Sequence, residues 1–259
     1  MTSDEQGAVE SAEPQAPPAP LPSVWTFLET IIDGFLDLVY PPKCVVCQTL
    51  DPSYICGSCL SGIEEVPRPY CLTCGHPLGG SICRNCANRV RSFTAARAAG
   101  NYSGVLRTAI HEFKYGGKRM LADPLARLLH NYLKKSDFAW RRADCVVPVP
   151  IYPSRRRVRG YNQSELLAER LSSLVRRPLM RGALVRTRRT RPQVELAGYE
   201  RRVNVRDAFR VRKSDQVKGK TVLLVDDVAT TCSTIHECSL ALLEAGAAGV
   251  YVVCLAFGA

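Results

Sequence analysis

One repeat of cysteines constrains this chain more than any other feature. Eight of the twelve cysteines are spaced so that the first four recur 27 residues later with every internal spacing preserved. The two sets are Cys44, Cys47, Cys56 and Cys59, then Cys71, Cys74, Cys83 and Cys86. Because each Cys-x2-Cys turn aims two sulfurs at one ion, the four pairs can close two tetrahedral sites. The repeat favours sequential pairing, and an interleaved pairing is the alternative.

A disulfide framework is the competing interpretation of these cysteines. Such frameworks belong to small secreted proteins. We expect no secretory signal here, which argues against that interpretation. The sequence therefore predicts two structural zinc ions in a module over residues 43–90, which is similar to double zinc ribbons.

A second informative segment runs from Thr221 to Ile235. Val222 to Val225 form a short apolar run that is typical of a buried parallel strand. Two aspartates and a hydroxyl-rich turn follow, and a helix is predicted from Ile235 to Gly246. Such a turn places helix N–H groups at the carboxyl edge of a sheet, where anions bind. The segment predicts a sugar-phosphate ligand, and the alternative is a polar helix cap.

The remaining pattern alternates strands and helices, which predicts an α/β fold with a parallel, doubly wound sheet. Strands are predicted at 95–102, 145–150, 183–186 and 249–257, and helices at 105–113, 121–133 and 164–174. Between the second strand and the third helix, Ser154 to Gln163 is predicted as a basic loop. We expect it to form a second anion site, for pyrophosphate, at the same edge of the sheet.

Positive charge is concentrated in one part of the chain. The net charge is +11, and Ile151 to Lys213 holds 18 Lys and Arg against 5 acidic residues. An Arg-rich face of this kind suits phosphates, pyrophosphate or nucleic acid, and a solvated basic surface is the alternative. Tyr152, Tyr161 and Tyr199 could stack on bases, although core packing is the favoured role for most of them.

Three further segments have distinct compositions. Residues 1–22 are rich in Pro, Ala and acid and contain no Lys or Arg, so a disordered tail is predicted. Residues 23–42 carry an apolar stripe at helical spacing, which predicts an amphipathic helix packed on the cysteine module rather than on a membrane or partner. Thr187 to Asn204 is a long Arg-rich loop, interpreted as a lid or else as disorder. The apolar stretches are too short for a membrane span.

The Asp226–Thr234 segment resembles the phosphoribosyl pyrophosphate (PRPP) signature of type I phosphoribosyltransferases, an aliphatic run followed by Asp-Asp-x-x-Thr-Thr-Gly-x-Thr. In that family the acidic pair holds the ribose hydroxyls and the loop wraps the 5′-phosphate. The resemblance implies a PRPP site made by Asp226, Asp227, Val228, Ala229, Thr230, Thr231, Cys232, Ser233 and Thr234. Pyrophosphate would bind Arg155, Arg156 and Arg157.

One position of this signature departs from the family pattern, because Cys232 stands where glycine is usual. Glycine allows a positive φ and close approach of the backbone to phosphate, so Cys232→Gly is expected to tighten PRPP binding. A thiol at a helix N-terminus is also expected to have a lowered pKa.

Several blocks in series resemble the ComF family, which joins a zinc ribbon to a phosphoribosyltransferase-like domain. They are the paired cysteine turns, Phe113 to Gly117, Val147 to Pro150, Arg159 to Gln163, Thr190 with Gln193, Arg201 and Asn204, and the Asp-Asp loop. The resemblance extends from about residue 35 to the end of the chain and places the phosphoribosyltransferase-like domain at 91–259. It implies a cytoplasmic protein of natural competence and DNA uptake that binds PRPP together with Mg²⁺.

Two functions are compatible with this resemblance. The first is a glycosyltransferase, in which PRPP donates its ribosyl group to an acceptor that the sequence does not reveal and pyrophosphate leaves. The second is a non-catalytic module that responds to PRPP or a nucleotide and binds single-stranded DNA or another competence protein.

Overall fold

The computed structural model describes residues 41–87, 89–136, 138–189 and 204–258. The predicted tail (1–22), almost all of the predicted helix (23–42) and all but the ends of the predicted lid lie outside these ranges. Pro42–Ala259 forms one compact unit. Its helices are α1 (Gly57–Ser61), α2 (Gly104–Tyr115), α3 (Ala122–Lys135), α4 (Pro153–Arg159), α5 (Gln163–Val175) and α6 (Ser233–Glu244). Its strands are β1 (Ala95–Asn101), β2 (Cys145–Pro148), β3 (Leu184–Arg186), β4 (Phe209–Val211), β5 (Thr221–Ala229) and β6 (Gly249–Phe257).

Four of these strands form a parallel sheet in the order β1-β6-β5-β2. Alternate residues of the central strand β5 enter different cores. Leu223 and Val225 pack with α2, α3 and α5, whereas Val222 and Leu224 pack with α6. Because helices cover both faces of the sheet, the strand sequences are continuous apolar runs. The predicted parallel, doubly wound α/β fold is confirmed.

Strand β5 is longer than its apolar run predicts. The sequence places the strand at Val222 to Val225, but pairing with β6 continues through Asp226, opposite Cys254, to Ala229, opposite Phe257. Helix α6 likewise begins at Ser233 rather than at Ile235. The two aspartates therefore lie within a rigid strand, where backbone pairing fixes their position, and only Thr230 to Cys232 remain for the turn.

The prediction of a basic loop from Ser154 to Gln163 is wrong. Pro153–Arg159 is a helix, α4, with proline in its first turn and the left-handed Gly160 as its C-cap. None of its residues is buried, so it lacks the apolar periodicity by which helices are recognised in a sequence. Proline at the start and glycine after the end are the signals that could have identified it.

Strands β3 and β4 pair antiparallel in a separate two-stranded sheet, and Phe209 on β4 lies opposite Arg186 on β3. Strand β4, which has three residues, has no counterpart in the sequence prediction because it is too short to show a period. Strand β4 packs against α6, and the Asp207 amide donates to Glu237 Oε2 on that helix at 3.0 Å.

Each half of the cysteine repeat contains an equivalent short antiparallel bridge. Lys43 pairs with Leu50 in the first half, and Tyr70 pairs with Pro77 in the second, 27 residues later. The sequence repeat is therefore also a repeat of backbone structure. Within the described ranges, no helix combines the length and the apolar character that crossing a bilayer requires.

Candidate functional site

The two aspartates at the carboxyl end of β5 form the centre of the site. Asp226 Oδ1 accepts hydrogen bonds from Ser164 Oγ and from the Asp227 amide, both at 2.9 Å. Lys114 Nζ lies 2.8 Å from Asp227 Oδ1. The second oxygen, Asp227 Oδ2, is buried and has no hydrogen-bond partner among the described residues. An unpaired buried acceptor is unfavourable unless a donor reaches it, and here that donor would come from a ligand.

The charges of this cluster influence one another. Burial raises the pKa of Asp226 to about 7, and repulsion from Asp227 acts in the same direction. Burial alone would lower the pKa of Lys114, but the charge of Asp227 and the hydrogen bond to it outweigh burial, so this pKa is raised. Lys114 is therefore a fixed cation that balances two clustered carboxylates.

The turn after β5, which the resemblance assigns to the 5′-phosphate and which we call the phosphate loop, joins the strand to α6. Val228 and Ala229 complete the strand, Thr230 and Thr231 are half-buried, and α6 begins at the buried Ser233, with the half-buried Thr234 next to it. Thr231 Oγ1 lies 2.8 Å from Ser233 Oγ. The N-cap residue, Cys232, makes no side-chain capping hydrogen bond, and the first-turn N–H groups of a helix are the groups that bind anions.

Cys232 occupies the N-cap position of α6 in the left-handed region, with φ 59°. That conformation favours glycine, as the family pattern implies. The expectation of a lowered pKa is wrong, because burial raises the pKa of the Cys232 thiol to about 12. The thiol is enclosed by protein, and desolvation outweighs the lowering of its pKa by the Arg91 charge and the Asn85 hydrogen bond.

The three predicted pyrophosphate residues lie together on α4, which follows β2 at the carboxyl edge of the sheet. Arg155 is half-buried, whereas Arg156 and Arg157 are exposed. Arg156 Nη2 lies 3.4 Å from Glu165 Oε2. A short helix thus presents these cations in place of the predicted loop.

Sequence reasoning missed three residues of this region: Lys114, Ser164 and Arg186. Arg186 is buried on β3, with its guanidinium 5.2 Å from the ring centre of Phe209. Burial lowers the pKa of Arg186 to about 10, and neighbouring Arg155 contributes in the same direction. Only Lys114 had a visible signal, its position in the Phe113 to Gly117 block. The contacts of all three are made between distant parts of the chain.

Two of the sequence blocks are in contact in the structure. Tyr161 donates its hydroxyl hydrogen to the carbonyl of Phe113. The Arg159 guanidinium lies 5.1 Å from the ring centre of Tyr115, and Arg119 Nη2 donates to the Gly160 carbonyl at 2.8 Å. These contacts fix the end of α2, and with it the lysine beside the carboxylates. Buried Tyr161 therefore packs in the core; half-buried Tyr152 is not enclosed in this way, and Tyr199 lies outside the described residues.

The structure brings the repeated cysteines together in sequential sets. The sulfurs of Cys44, Cys47, Cys56 and Cys59 lie within 4.8 Å of one another, as do those of Cys71, Cys74, Cys83 and Cys86. Individual separations are 3.5 Å for Cys47–Cys56 and 3.5 Å for Cys74–Cys83. Tetrahedral zinc with Zn–S bonds of about 2.3 Å requires S–S distances of about 3.8 Å. All eight are free thiols rather than disulfides, and both sets fit structural zinc.

The described residues hold no comparable cluster of oxygen ligands for Mg²⁺. Among the described residues, only the two cysteine sets bring three or more His, Cys, Asp or Glu ligand atoms within 4.8 Å. Magnesium usually binds through one or two carboxylates together with substrate phosphates. The adjacent carboxylates of Asp226 and Asp227 fit that manner of binding.

Comparisons with known proteins agree with this architecture. A family model described as a double zinc ribbon domain matches residues 35–87. Competence protein F of Haemophilus influenzae is 31% identical over 218 residues, covering 81% of this chain and 94% of that protein. The DNA utilization protein YhgH of Escherichia coli K12 is 32% identical over 225 residues, covering 84% of this chain and 98% of that protein.

A solved structure of glutamine phosphoribosylpyrophosphate amidotransferase from Bacillus subtilis is also similar. The identity is 22% and the TM-score 0.38, over 56% of this chain and 30% of that one. At this score the overlap is partial, and the strand order carries the fold assignment. The parallel sheet and the two cysteine sets define an α/β protein that carries a double zinc ribbon. Given its relatives, the chain belongs to the ComF family.

Proposed function

We propose that this protein binds PRPP together with Mg²⁺ at the carboxyl edge of the sheet and acts in DNA uptake. The observation that carries the proposal is the buried Asp227 Oδ2, which has no donor among the described residues. A ribose hydroxyl would supply one. Ser164 donates to Asp226 Oδ1 and Lys114 lies against Asp227 Oδ1, so neither of these contacts uses Asp227 Oδ2.

The neighbouring turn supports a 5′-phosphate beside this ribose. Its hydroxyls, including the close pair Thr231 and Ser233, adjoin the uncapped start of α6. Helix N-termini bind phosphate through N–H groups and the helix dipole. An acceptor for ribose and a cradle for phosphate on one strand-to-helix turn are what a ribose 5-phosphate group requires.

The pyrophosphate is assigned to the arginines of α4. Arg155, Arg156 and Arg157 follow β2 at the same edge of the sheet. Guanidinium groups suit phosphate oxygens because they donate in a planar fork. Mg²⁺ would reach the site on the pyrophosphate and share a carboxylate of the Asp226–Asp227 pair.

The role in DNA uptake is transferred from the relatives. The similar proteins carry the names competence protein F and DNA utilization protein YhgH. We place this chain in the same process, on the cytoplasmic side of the membrane. Glycosyl transfer from PRPP is compatible with the site, since such chemistry depends mainly on positioning and charge stabilisation.

Calorimetry of the full chain with PRPP and Mg²⁺ tests the proposal. Wild type should bind, and Asp226→Asn with Asp227→Asn should abolish binding. Asp215→Asn, at an exposed aspartate away from the sheet edge, is the control and should bind as wild type does. Ribose 5-phosphate and pyrophosphate should each compete. If the wild type gives no heat of binding with PRPP, the proposed PRPP site is refuted. In a separate assay, release of pyrophosphate from PRPP with an added acceptor would establish turnover.

A second function is favoured by the exposure of α4. Arg156 and Arg157 are exposed on this helix beside Val158, which is 92% exposed. Such a surface can follow a nucleic-acid backbone. We propose that it binds single-stranded DNA. Binding to an oligonucleotide should weaken with salt, and Arg156→Glu with Arg157→Glu should reduce the slope of log K against log salt by about 1.4.

The matched control for this charge reversal lies on other helices. Arg107→Glu with Lys134→Glu changes the net charge equally at exposed positions of α2 and α3. DNA affinity that falls equally in both double variants would show a general charge effect and contradict a binding role for α4.

A further inference from the structure

The two zinc ribbons share an antiparallel bridge and a left-handed turn but differ where they meet the rest of the protein. Gln48 in the first ribbon and Gly75 in the second, 27 positions later, are both left-handed, with φ 65° and 74°. A Cβ on Gly75 would lie 2.4 Å from the Ala96 carbonyl oxygen and 2.6 Å from Phe257. Only the second turn therefore needs glycine, because it is pressed against the sheet.

The ribbons join different cores of the protein. Cys44, Val45 and Ile55 of the first ribbon belong to the core that α2, α3 and α5 cover. Cys74 of the second ribbon belongs to the opposite core, which also contains Cys232 of the phosphate loop. The second ribbon is thus packed on the side of the sheet from which the loop and α6 arise.

Polar side chains of the second ribbon contact the loop directly. Asn85 Nδ2 donates to Cys232 Sγ at 3.6 Å, and His76 Nδ1 lies 3.9 Å from the same sulfur. The His76 ring also stacks on Phe257, with ring centres 4.5 Å apart. Arg91 holds the amide in place by donating to Asn85 Oδ1 at 3.1 Å. The equivalents in the first ribbon, Thr49 and Ser58, are exposed.

These contacts bear on a backbone conformation that is unfavourable by itself. Cys232 has φ 59°, a region in which a non-glycine residue is strained and persists only when its surroundings hold it there. Asn85 and His76 of the second ribbon contact the side chain of Cys232. A second contact, in which the Ser92 amide donates to His236 Nδ1 at 3.1 Å, holds the first turns of α6 from the same side.

We propose that His76 and Asn85 are positioning residues of the phosphate loop, so that the second zinc ribbon, and not the first, sets the affinity for the 5′-phosphate. This inference rests on the proposed PRPP site. It also gives Cys232 a role, because the sulfur at the usual glycine position is the point that the ribbon holds. Zinc bound by the second cysteine set would preserve the shape that presents both side chains.

Hydrogen exchange of the full chain, loaded with both zinc ions, tests the positioning without any ligand. Asn85→Ala and His76→Ala should speed exchange of the segment 228–236 about fivefold, since removing a contact lowers the free energy of local opening. Ser58→Ala and Thr49→Ala, at the equivalent positions of the first ribbon, should leave that segment unchanged. Equal effects of the two ribbons, or no effect of either, would overturn the proposal.

Affinity for PRPP with Mg²⁺ provides the second readout. Asn85→Ala should weaken it about fivefold, and in a Cys232→Ala background the same change should have less than about a 1.5-fold effect, since residues in contact are not additive. Full additivity would overturn the proposal. Wild type that fails to bind PRPP would refute the proposed function, and the exchange result would still decide the positioning role.

Metal content separates positioning from loss of zinc. Each variant should retain the zinc content of the wild type. If Asn85→Ala loses zinc, the hydrogen-exchange test is made with Cys232→Ala instead, because this residue lies outside the ribbon. Faster exchange of segment 228–236 in that variant supports the inference, and unchanged exchange overturns it.

Discussion

The ammonium group of Lys114 lies 2.8 Å from Asp227 Oδ1, and the two side chains are only 17% and 5% exposed. Helix α2 ends one residue later, at Tyr115, so the lysine reaches the sheet edge from the end of a helix. It is the cation that allows two adjacent carboxylates to remain buried in the same strand. Removing it leaves their repulsion and their burial uncompensated.

Lys114→Met should therefore lower the free energy of unfolding by about 3 kcal/mol, as breaking a buried pair at one partner does. Urea denaturation measures this. The deficit should shrink as pH falls, because protonation removes the uncompensated charge. In a protein that already carries Asp227→Asn, Lys114→Met should lower the free energy of unfolding by less. An equally large decrease would contradict a direct ion pair between the two residues.

Lys118→Met is the matched control on the same segment. Lys118 Nζ lies 2.9 Å from Glu112 Oε2, but its side chain is 38% exposed. Exposed pairs contribute about 0–1 kcal/mol. The two lysines should therefore differ clearly in stability effect, although each makes a short ion pair.

The fold could be predicted largely because its signals are local. Buried strands such as β2 and β6 are uninterrupted apolar runs. The spacing of the cysteine repeat is likewise visible directly in the sequence. Helix α4 and strand β4 were not predicted, since the helix has no fully buried residue and the strand has only three residues. Neither has a period that burial could impose on the sequence.

The site was predicted only in part for a related reason. Asp226 and Asp227 lie in one segment with a recognisable pattern, so a local motif identified them. Ser164 and Lys114 reach them from α5 and α2, and that convergence depends on strand order, which no local pattern encodes. The departure at Cys232 was visible in the sequence, but its partner Asn85 was not.

Asp226→Asn should stabilise the free protein while it removes PRPP binding. Burial raises the pKa of this carboxyl from 3.8 to about 7. Between these values the native state keeps a proton that the unfolded state has lost, so the free energy of unfolding falls as pH rises from about 4 to 7. The amide avoids that loss and can still accept from Ser164. In thermal denaturation from pH 5 to 8, the Tm of the variant relative to that of the wild type should increase with rising pH. A constant difference in Tm would contradict the raised pKa.

Zinc content should distinguish the two cysteine sets from the other thiols. We expect about two zinc ions per chain, since each set provides four ligands. Cys47→Ser should reduce the content to about one. Cys145→Ser, at a buried cysteine of β2 outside both sets, should leave it at about two. Elemental analysis of the purified protein decides, and an unchanged content in Cys47→Ser would rule out the first site.

Gly75→Ala should destabilise the protein far more than Gln48→Ala at the equivalent position. The added methyl group would overlap the Ala96 carbonyl oxygen and the Phe257 ring, and overpacking of this kind costs about 1–3 kcal/mol. Gln48 has the same left-handed turn but is exposed, so its truncation should change stability by less than about 0.5 kcal/mol. Urea denaturation of both variants measures the contrast. Similar stabilities would show that the second ribbon is not pressed against the sheet.

Cys232→Gly should bind PRPP more tightly than Cys232→Ala. Both variants lose the sulfur that Asn85 and His76 contact, so both lose the hold of the ribbon on the loop. They differ in the backbone, because glycine adopts φ near 59° without strain whereas alanine retains a penalty of about 1 kcal/mol. That difference corresponds to roughly fivefold in affinity, measurable by calorimetry with PRPP and Mg²⁺. Equal affinities would mean that the left-handed conformation is not needed for phosphate binding, and a tighter alanine variant would contradict the loop geometry itself.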